Sequence, residues 1–431
     1  MSTQKSIGIT LRSKVARIAI IGSGISGLAC ADLLAPCHDV MLFEAENRLG
    51  GHARTLTVSL PDGALTVDTG FIVYNEINYP LLTKLFKYLE VHTQPSDMSF
   101  GVRYGDGELE FCGSSFEGLF AQKKNLLSLR YYQMLADIIR FFRSAKLLLT
   151  EHRNPTLAEF LEELELGEWF RDRFLIPMGA AIWSTPPAQM FSFPAKNFIY
   201  FFENHGLLSV KGHHPWRTVT GGSHDYVQKL AKRLGERIRL GTAVKQVLLA
   251  DKGLEIVTEK GERVKFDQVV LAAHADRSLR MIADPLPALR RLLSAFAFRD
   301  NEALLHTDET LMPRAKKAWA SWVYAAGGPE TQDRVSVTYW MNRLQSLKGQ
   351  NIFVSLNPDR LIATDKILDR YIFRHPMFSH EAILAQKELA HIQGQNGLWF
   401  CGAWLRNGFH EDGLWSAVQV AQRMGVPIPW L

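Results

Sequence analysis

The chain has 431 residues, 47% of them hydrophobic and 22% charged, and it carries a formal net charge of +5. This length corresponds to about three domain-sized units, and the composition excludes a disordered or collagen-like chain. The small excess of positive charge does not indicate a nucleic-acid-binding protein. The four cysteines are scattered and include no CxxC pair, which favours a reducing compartment over a disulfide framework.

The placement of apolar residues along the sequence predicts a cytoplasmic protein. Its first 17 residues are polar and lack the apolar centre of a signal peptide. The longest uncharged stretch, residues 174–195, contains four prolines, which a regular membrane-spanning helix would not tolerate. We therefore expect no membrane span from this sequence.

The chain opens with a predicted βαβ unit. Residues 16–22 form a continuous apolar run typical of a buried parallel strand, and residues 25–34 follow a helical pattern. A second short apolar run covers residues 39–43. A strand, a helix and a strand at this spacing predict one parallel βαβ unit.

The turn between the first strand and the helix carries a glycine fingerprint, Gly22-Ser23-Gly24-Ile25-Ser26-Gly27. The first glycine permits the tight turn, the second lets a pyrophosphate approach the backbone, and the third lets the helix pack on the strand. The helix N-terminus offers unpaired amides and a partial positive charge to the phosphates. Glu44 ends the second strand, where its carboxylate can accept hydrogen bonds from the hydroxyls of an adenosine ribose. The motif therefore predicts a dinucleotide site.

A second glycine pair follows at once, in the segment Glu44-Ala45-Glu46-Asn47-Arg48-Leu49-Gly50-Gly51-His52. A second close approach of the backbone, beside a fixed cation, suits an additional phosphate contact that a simple nicotinamide dehydrogenase does not need. Further along, Asp68-Thr69-Gly70-Phe71 ends a strand with a glycine where a cofactor ring could lie close. These features favour FAD over NAD as the cofactor.

The remaining segments alternate between helical and strand-like patterns. Residues 79–166 are mostly helical, and residues 237–273 show a second α/β pattern. Strand-like runs within residues 296–354 are spaced as in an antiparallel sheet, and the chain closes with a strand at 397–402 and a helix at 413–424. Because α/β pieces stand at the start, middle and end, the pattern predicts two interleaved domains.

The motifs GSGISG, EAENRLGGHART and FCGAWLRNGFHEDGLWSA resemble the flavin amine oxidase and phytoene desaturase superfamily. Within it, the GGH variant, NHGLL, WRTVTGGS, LHTDETLMP and GFHEDG are similar to a bacterial branch of amine-oxidase-like flavoproteins that are often encoded beside cyclopropane-fatty-acid synthases. The resemblance extends from about Lys14 to Gly425. It implies an α/β, two-domain flavin amine oxidase-like fold, with a Rossmann-type FAD domain interleaved with a substrate domain of antiparallel sheet plus helices. The expected bounds are 14–78, 205–275 and 385–431 for the FAD domain, and 79–204 and 276–384 for the substrate domain.

The resemblance also implies which residues bind noncovalent FAD. The glycine fingerprint would hold the pyrophosphate, Glu44 the adenosine ribose, and the backbone of Val244 the adenine. The second glycine turn would flank the phosphates, Gly70 would pass beside the isoalloxazine, and the final helix would aim its N-terminus at the O2 edge of the flavin. The full set is Gly22, Ser23, Gly24, Ile25, Ser26, Gly27, Glu44, Ala45, Arg48, Gly50, Gly51, His52, Gly70, Phe71, Val244, Gly402, Asp412 and Gly413.

The sequence departs from the amine oxidase pattern at two positions. Amine oxidases carry a lysine in a substrate-domain strand, linked through water to flavin N5, whereas the corresponding strand here, residues 301–308, has no lysine and offers His306 and Asp308 instead. Amine oxidases also place two aromatic rings over the flavin, and the second position falls on His410. We therefore take His410 and His306 as candidate catalytic residues. A hydrogen-bonded wall residue is the alternative for His410.

Other motifs indicate structure more than chemistry. Ser223-His224-Asp225 are consecutive, so their side chains diverge and cannot form a triad. The pair His213-His214 lacks zinc-ligand spacing, and we expect no metal site. Cys401, at the end of an apolar strand, is expected to be a small core residue and not a covalent flavin attachment point. The Gly221-Gly222 pair resembles a glycine turn of the family, and a structural role is favoured for it.

Residues 119–149 combine six basic side chains and one acidic side chain with an apolar stripe at helical spacing. Such a helix could lie on an anionic membrane surface, at the inner face of the cytoplasmic membrane. The alternative, which we favour, is that its apolar face lines the substrate domain. The apolar and aromatic segments that follow exceed what a small-amine pocket needs and support a channel for a greasy substrate.

These features predict an FAD-dependent oxidoreductase that transfers hydride from a lipid-like substrate, an unsaturated or modified fatty acyl chain, to flavin N5. The outcome would be desaturation or isomerisation, in which the flavin carries the chemistry and the protein orients it. A flavin amine oxidase producing imine and hydrogen peroxide is the first alternative. The second is an FAD-stabilised, non-catalytic partner of a lipid-modifying enzyme.

Overall fold

The computed structural model describes residues 15–61, 63–183, 187–208, 214–326 and 335–431. Its centre is a five-stranded parallel sheet with the strand order β10-β2-β1-β14-β20. These strands come from widely separated parts of the chain, which is what interleaved domains require. Their bounds are β1 Arg17–Ile21, β2 Asp39–Phe43, β10 Ile238–Arg239, β14 Gln268–Leu271 and β20 Leu398–Phe400.

Both faces of the parallel sheet are covered, so the buried positions of its central strands are apolar. In β1, Ile18 and Ile20 pack under one helical layer, while Ala19 and Ile21 pack under the opposite layer. The first layer contains α1 Ile25–Leu34, α2 Pro80–Tyr88, α10 His224–Leu234 and α15 His410–Arg423. The opposite layer contains α11 Ala275–Met281, α12 Pro287–Ser294, α14 His380–Ile392 and an antiparallel sheet of β11 Val244–Leu249, β12 Leu254–Thr258 and β13 Arg263–Phe266.

A second, seven-stranded sheet has the order β19-β15-β18-β17-β16-β7-β8. Neighbouring strands are antiparallel except for β16 and β7, which pair in parallel. The bounds are β7 Phe100–Tyr104, β8 Leu109–Cys112, β15 Ala297–His306, β16 Trp322–Ala326, β17 Ser336–Trp340, β18 Phe353–Leu356 and β19 Ile367–Met377.

A layer of helices packs against part of this sheet around a phenylalanine-rich core. Its longest member is α4, whose apolar stripe is buried at Tyr131, Met134, Ile138, Phe141 and Ala145. The apolar face of α4 therefore lies inside the protein, as favoured above. The helices here are α3 Phe116–Leu119, α4 Leu129–Leu148, α5 Leu157–Glu163, α6 Glu168–Phe170, α7 Ile176–Trp183, α8 Pro187–Met190 and α9 Ala195–Asn204; α13 Met341–Leu344 lies between β17 and β18.

Two small sheets connect the larger units. One is the hairpin of β3 Thr55–Leu60 and β4 Gly63–Asp68, and the other is the antiparallel sheet β5-β9-β6, formed by Val73–Asn75, Trp216–Val219 and Thr93–Ser96. Among the described residues, no helix is both long enough and apolar enough to cross a membrane.

The predicted α/β fold with an antiparallel insertion is confirmed, and α1 and β2 have the predicted bounds. Two local predictions are wrong. Residues 93–112 form β6, β7 and β8, not helices, because they pair with distant strands. The final helix begins at His410, three residues before the predicted start.

The domain bounds remain a prediction. The strands of the parallel sheet fall within the ranges predicted for the FAD domain, and the strands of the seven-stranded sheet fall within those predicted for the substrate domain. However, α11 and α12, which were placed in the substrate domain, pack in the core beside the parallel sheet.

Candidate cofactor and active site

The fingerprint turn between β1 and α1 has the geometry of a phosphate-binding loop. Gly22 has a φ of +108°, and a Cβ at that position would lie 2.6 Å from the carbonyl oxygen of Ala272. At Gly27 a Cβ would lie 1.8 Å from the carbonyl oxygen of Gly22. At Gly24, by contrast, it would meet no atom of the described chain within 4 Å. Packing therefore requires the first and third glycines, and open space adjoins the second.

The first turn of α1 is available to an anion. Its N-cap residue is Gly24, which has no side chain to cap the helix amides, and the first turn of α1 contains no acidic residue. The amides at a helix N-terminus need acceptors, and the helix dipole favours negative charge there. Together with the open space at Gly24, this arrangement fits the pyrophosphate of a dinucleotide.

Glu44 connects the end of β2 to the fingerprint turn. One carboxylate oxygen accepts hydrogen bonds from the backbone amide of Ser23 at 2.9 Å and from its hydroxyl at 2.5 Å. The other oxygen accepts from the amide of Glu46 at 2.9 Å. The half-buried carboxylate is thus held in place, and its remaining lone pairs can accept ribose hydroxyls. Val244 begins β11 two residues after Thr242, whose amide donates to the carbonyl of Glu44 at 2.8 Å.

The second glycine turn lies directly against the first. The amide of Gly50 donates to the carbonyl of Ser23 at 3.0 Å, and a Cβ at Gly51 would lie 3.0 Å from the Cα of Gly24. Arg48 donates to the carbonyl of Gly51 at 3.0 Å. Close backbone packing therefore demands these glycines, in addition to any contact with phosphate.

One face of β19 adjoins the second glycine turn, and sequence reasoning missed this face. Arg48 donates to the hydroxyl of Tyr371 at 2.8 Å, and the guanidinium of Arg54 lies 4.5 Å from the centre of the same ring. Arg54 also forms a bidentate ion pair with Asp369. The alternating side chains of LDRYIFRH, residues 368–375, could have indicated this face, since alternate residues of a strand share a face. The residues on this face are Asp369, Tyr371, Phe373 and His375.

Three histidine rings cluster beside the second glycine turn. The centre of the His52 ring lies 6.1 Å from that of His274 and 5.6 Å from that of His375. Burial lowers the pKa of His52 to about 4, with a smaller contribution from the cation of Arg48. Burial also lowers the pKa values of His274 and His375 to about 3. All three rings are therefore neutral near pH 7.

One atom of this cluster has an unmet hydrogen bond. Nδ1 of His274 is buried without a partner among the described residues. A buried polar atom normally has a partner, so an orphaned one in a native structure calls for an explanation. Here a polar atom of a bound cofactor or a water would satisfy it, which agrees with a cofactor site at this position.

Asp68 anchors the segment that leads to Gly70. Its buried carboxylate accepts hydrogen bonds from Thr55, from the amide and hydroxyl of Ser223, and from the side-chain amide of Gln345. Burial raises its pKa to about 6, although these hydrogen bonds oppose the shift. A Cβ at Gly222 would lie 2.5 Å from Cγ2 of Thr55. The Gly221-Gly222 turn thus has the structural role of seating Ser223 on Asp68.

The structure brings two of the predicted site residues together at the start of α15. The imidazole of His410 stacks on the ring of Phe71, with centres 3.9 Å apart and planes inclined by 8°. Its Nε2 lies 2.6 Å from the hydroxyl of Tyr226, a fully buried residue that sequence reasoning missed. Burial lowers the pKa of His410 to about 3, so the ring is neutral and not poised near 6.5.

The acidic residues that follow His410 hold helix ends. Glu411 accepts hydrogen bonds from the amides of Leu81 and Leu82 at the start of α2, and burial raises its pKa to about 7. Asp412 accepts from the amide of Phe409, and burial raises its pKa to about 6. The carboxylate of Asp412 is thus already bonded to an amide at the N-terminus of α15. The roles toward flavin that were predicted for Asp412 and for this N-terminus remain predictions.

Two further glycines allow close packing around α15. A Cβ at Gly413 would lie 2.8 Å from Cγ2 of Ile25, so this glycine lets α15 approach α1. At Gly402 a Cβ would lie 2.4 Å from Nε1 of Trp404. The neighbouring Cys401 is a fully buried free thiol in the core of the parallel sheet.

The structure places His306 in the core of the seven-stranded sheet, away from Phe71, and its catalytic role stays a prediction that this position does not support. It is fully buried, stacks on Phe353, and places Nε2 2.8 Å from the hydroxyl of Ser355. The preceding residue, Leu305, packs in the cluster that contains Ile72, next to Phe71. Because side chains alternate along a strand, His306 points to the opposite face.

The other sequence-based predictions have mixed outcomes. His224 is exposed, whereas Ser223 is buried against Asp68. His213 lies outside the described residues, and Nε2 of His214 donates to the carbonyl of Asn204 at 2.9 Å. The described part of the chain contains no cluster of three or more histidine, cysteine or acidic side chains that could hold a metal.

Comparison with known proteins gives one family and several similar structures. The family model described as "Flavin containing amine oxidoreductase" matches residues 25–314. The chain is 27% identical over 292 residues to an L-amino acid dehydrogenase from Synechocystis sp., a match that covers 64% of this chain and 59% of the relative. The chain thus spans about three fifths of the length of that relative.

Two solved structures illustrate the shared fold. A CLA-producing fatty acid isomerase from P. acnes superimposes with a TM-score of 0.67 at 16% identity, covering 95% of this chain and 99% of that chain. Cyclohexylamine oxidase from Brevibacterium oxydans IH-35A superimposes with a TM-score of 0.64 at 16% identity, covering 95% of this chain and 100% of the oxidase. At such identities these likenesses show the fold alone.

The buried histidines predict a loss of stability in mild acid. The pKa of His306 is lowered to about 4 in the folded protein, mainly by burial, whereas in the unfolded chain it is about 6.5. The stability that depends on this neutral ring is therefore present above about pH 6.5 and is lost as the pH falls toward 4. His306→Gln should reduce the drop in unfolding free energy between about pH 7.5 and 5.5 by about 1 kcal/mol.

Urea unfolding at the two pH values measures this difference. The exposed His391→Gln is the matched control and should leave the pH dependence unchanged. An unaltered pH dependence in His306→Gln would contradict the assignment of His306 as a neutral, buried ring.

Proposed function

The chain belongs to the family of flavin-containing amine oxidoreductases and is a flavin-dependent oxidoreductase, and from this premise we propose that it binds FAD noncovalently and acts on a lipid-like substrate. The proposed substrate is an unsaturated or modified fatty acyl chain, and the outcome is desaturation or isomerisation. The observation that carries this proposal is the neutral, buried imidazole of His410, stacked on Phe71 in place of an open aromatic cage.

FAD is supported by two backbone turns and one carboxylate. The fingerprint turn at the start of α1 fits a pyrophosphate, and Glu44 lies where it can accept ribose hydroxyls. The second glycine turn, with Arg48 held beside it, supplies further contacts of the kind that a larger dinucleotide uses. Cys401 is fully buried among core residues, so it supports noncovalent binding and not attachment through sulfur.

Bound FAD would supply an acceptor for the hydride that leaves a substrate carbon. The chain's own contribution centres on His410, whose Nε2 is held by Tyr226 and whose ring is clamped against Phe71. These contacts fix the ring plane and leave Nδ1 as the atom that can hold or pass a proton. Because burial lowers its pKa to about 3, the imidazole is neutral near pH 7 and is a weak base there.

A greasy substrate is supported by the residues that lead to His410. Phe409 packs against both the core under the parallel sheet and the phenylalanine-rich core of the helical layer. Its ring centre lies 5.1 Å from that of Phe201, and His205 stacks on Phe201 at 3.8 Å. Burial lowers the pKa of His205 to about 4, so this aromatic surface is uncharged near neutrality. The fold shared with a fatty acid isomerase agrees with such a substrate.

An amine oxidase is the alternative, and the similarity to amine-converting relatives favours it. Two observations weigh against it. Strand β15, Ala297–His306, contains no lysine. The second aromatic position of the amine oxidase pattern is taken by His410, whose ring stacks on Phe71.

Release of the cofactor tests the first part of the proposal. Acid precipitation of the purified holoprotein should leave all yellow colour in the supernatant, because no thioether holds the flavin. Glu44→Gln should weaken FAD binding to the apoprotein by roughly 1.5–3 kcal/mol, the scale for hydrogen bonds to a charged group. Equilibrium titration of apoprotein with FAD measures the affinity, and the exposed Glu259→Gln serves as the control. Colour retained in the pellet would contradict noncovalent binding.

Substitution of His410 tests the catalytic part. His410→Phe keeps an aromatic ring on Phe71 and should retain FAD, but it should lower the rate of lipid-driven flavin reduction by about 10²-fold, within the range for general acid–base catalysis. Tyr226→Phe removes only the hydroxyl that positions the imidazole, so it should give a smaller loss and a changed pH profile. Anaerobic stopped-flow absorbance gives the rates.

His306→Gln is the matched histidine control, since its ring lies in the core of the seven-stranded sheet, and it should leave the reduction rate nearly unchanged. Full lipid activity in His410→Phe would assign His410 as a wall residue and remove the catalytic claim.

A further inference from the structure

An exposed apolar patch lies where α3, the 3₁₀ turn Lys123–Leu127 and the start of α4 meet. Soluble proteins usually expose large apolar side chains singly, and a cluster marks an interaction surface. We refer to this surface as the 116–132 patch. Its apolar members, with their exposed fractions, are Phe116 70%, Leu126 44%, Leu127 92%, Leu129 86% and Tyr132 45%.

The patch is continuous and well supported from below. The ring of Phe120 lies 4.8 Å from that of Phe116 and 6.0 Å from that of Tyr132, whose hydroxyl donates to the carbonyl of Leu126 at 3.2 Å. Beneath it, the fully buried Tyr131 donates to the carbonyl of Leu119 at 2.6 Å. The apolar side chains are therefore presented by a fixed scaffold, because each backbone segment under them is tied to α4.

Basic side chains surround the patch. Residues 116–132 contain three cations, Lys123, Lys124 and Arg130, and one acid, Glu117, which pairs with Lys317 at 3.0 Å. Within the ranges that the structure describes, neither Lys123 nor Arg130 forms an ion pair. An apolar centre with a free cationic rim complements an anionic phospholipid surface, whose acyl region takes the leucines and whose headgroups take the cations.

We propose that the 116–132 patch docks the protein onto an anionic bilayer surface. The charge of the rim favours this occupant, because three cations stand against one acid, Glu117, which is already paired with Lys317. This surface differs from the regular stripe of α4, which is buried in the helical layer. The exposed apolar residues cluster at the first turn of α4 and before it, whereas Ile139 and Leu147 are exposed singly further along the helix. The proposal is independent of the proposed substrate.

Vesicle sedimentation with the holoprotein tests the proposal. Binding to vesicles of phosphatidylcholine and phosphatidylglycerol should fall with added salt and should be weak for pure phosphatidylcholine. The double variant Leu127→Ser/Leu129→Ser should reduce binding at least about tenfold, and Lys123→Glu/Arg130→Glu should do the same. The controls are Leu361→Ser, at a fully exposed leucine elsewhere, and Lys252→Glu, and both should bind as the wild type does.

Lipid quenching gives a readout that does not depend on affinity. A tryptophan at Leu127→Trp should be quenched by lipids with brominated acyl chains, whereas one at Leu361→Trp should not. Equal binding to neutral vesicles, no binding, or loss of binding in the controls would overturn the proposal. So would a patch-dependent dimer in sedimentation velocity without vesicle binding, because the occupant would then be a second copy of the chain.

Discussion

The backbone contact between the two glycine turns is the constraint on which the rest of the site depends. The amide of Gly50 donates a hydrogen bond to the carbonyl of Ser23, and a Cβ at position 51 would lie only 3.0 Å from the Cα of Gly24. This contact fixes His52, whose carbonyl accepts the amide of Phe71 at 2.8 Å. Phe71 in turn carries the ring of His410. A chain of backbone and ring contacts thus connects the phosphate-binding loop to the proposed catalytic residue.

Burial determines how the ionisable groups of the site behave. The histidines around the second glycine turn and at the start of α15 are neutral because charging them would require hydration that the interior does not give. Burial also disfavours charge on the carboxylates and raises their pKa values, while each of them accepts backbone amides at a turn or helix start. The site therefore combines a weakly basic, uncharged histidine lining with carboxylates that fix the backbone.

The part of the site that could be predicted from sequence is the part built from neighbouring residues. The fingerprint turn, Glu44 and the second glycine pair are local motifs, whereas the roles of Phe71 and His410 were expected only from the family resemblance and stay predictions. Contacts between distant residues could not be predicted: Arg48 and Tyr371 are 323 positions apart, and Tyr226 reaches His410 across 184 positions.

The predictions that the structure contradicts or does not support have the same physical origin. Residues 93–112 form strands because β7 pairs with β16, more than 200 positions further along, and no local periodicity reports such a partner. His306 stood in the expected strand, but the alternation of side chains turns it away from Phe71 and toward Phe353. A one-residue shift along a strand exchanges the two faces, so a strand match alone does not determine which side chain lines a site.

The most direct test of the account is rapid anaerobic mixing of the wild-type holoprotein with an unsaturated fatty acid and, separately, with a panel of primary and secondary amines. The account predicts that the fatty acid causes loss of the visible flavin absorbance, or is recovered with a new or shifted double bond, while the amines leave the spectrum unchanged. Rapid loss of absorbance with an amine, and neither effect with the fatty acid, would contradict it.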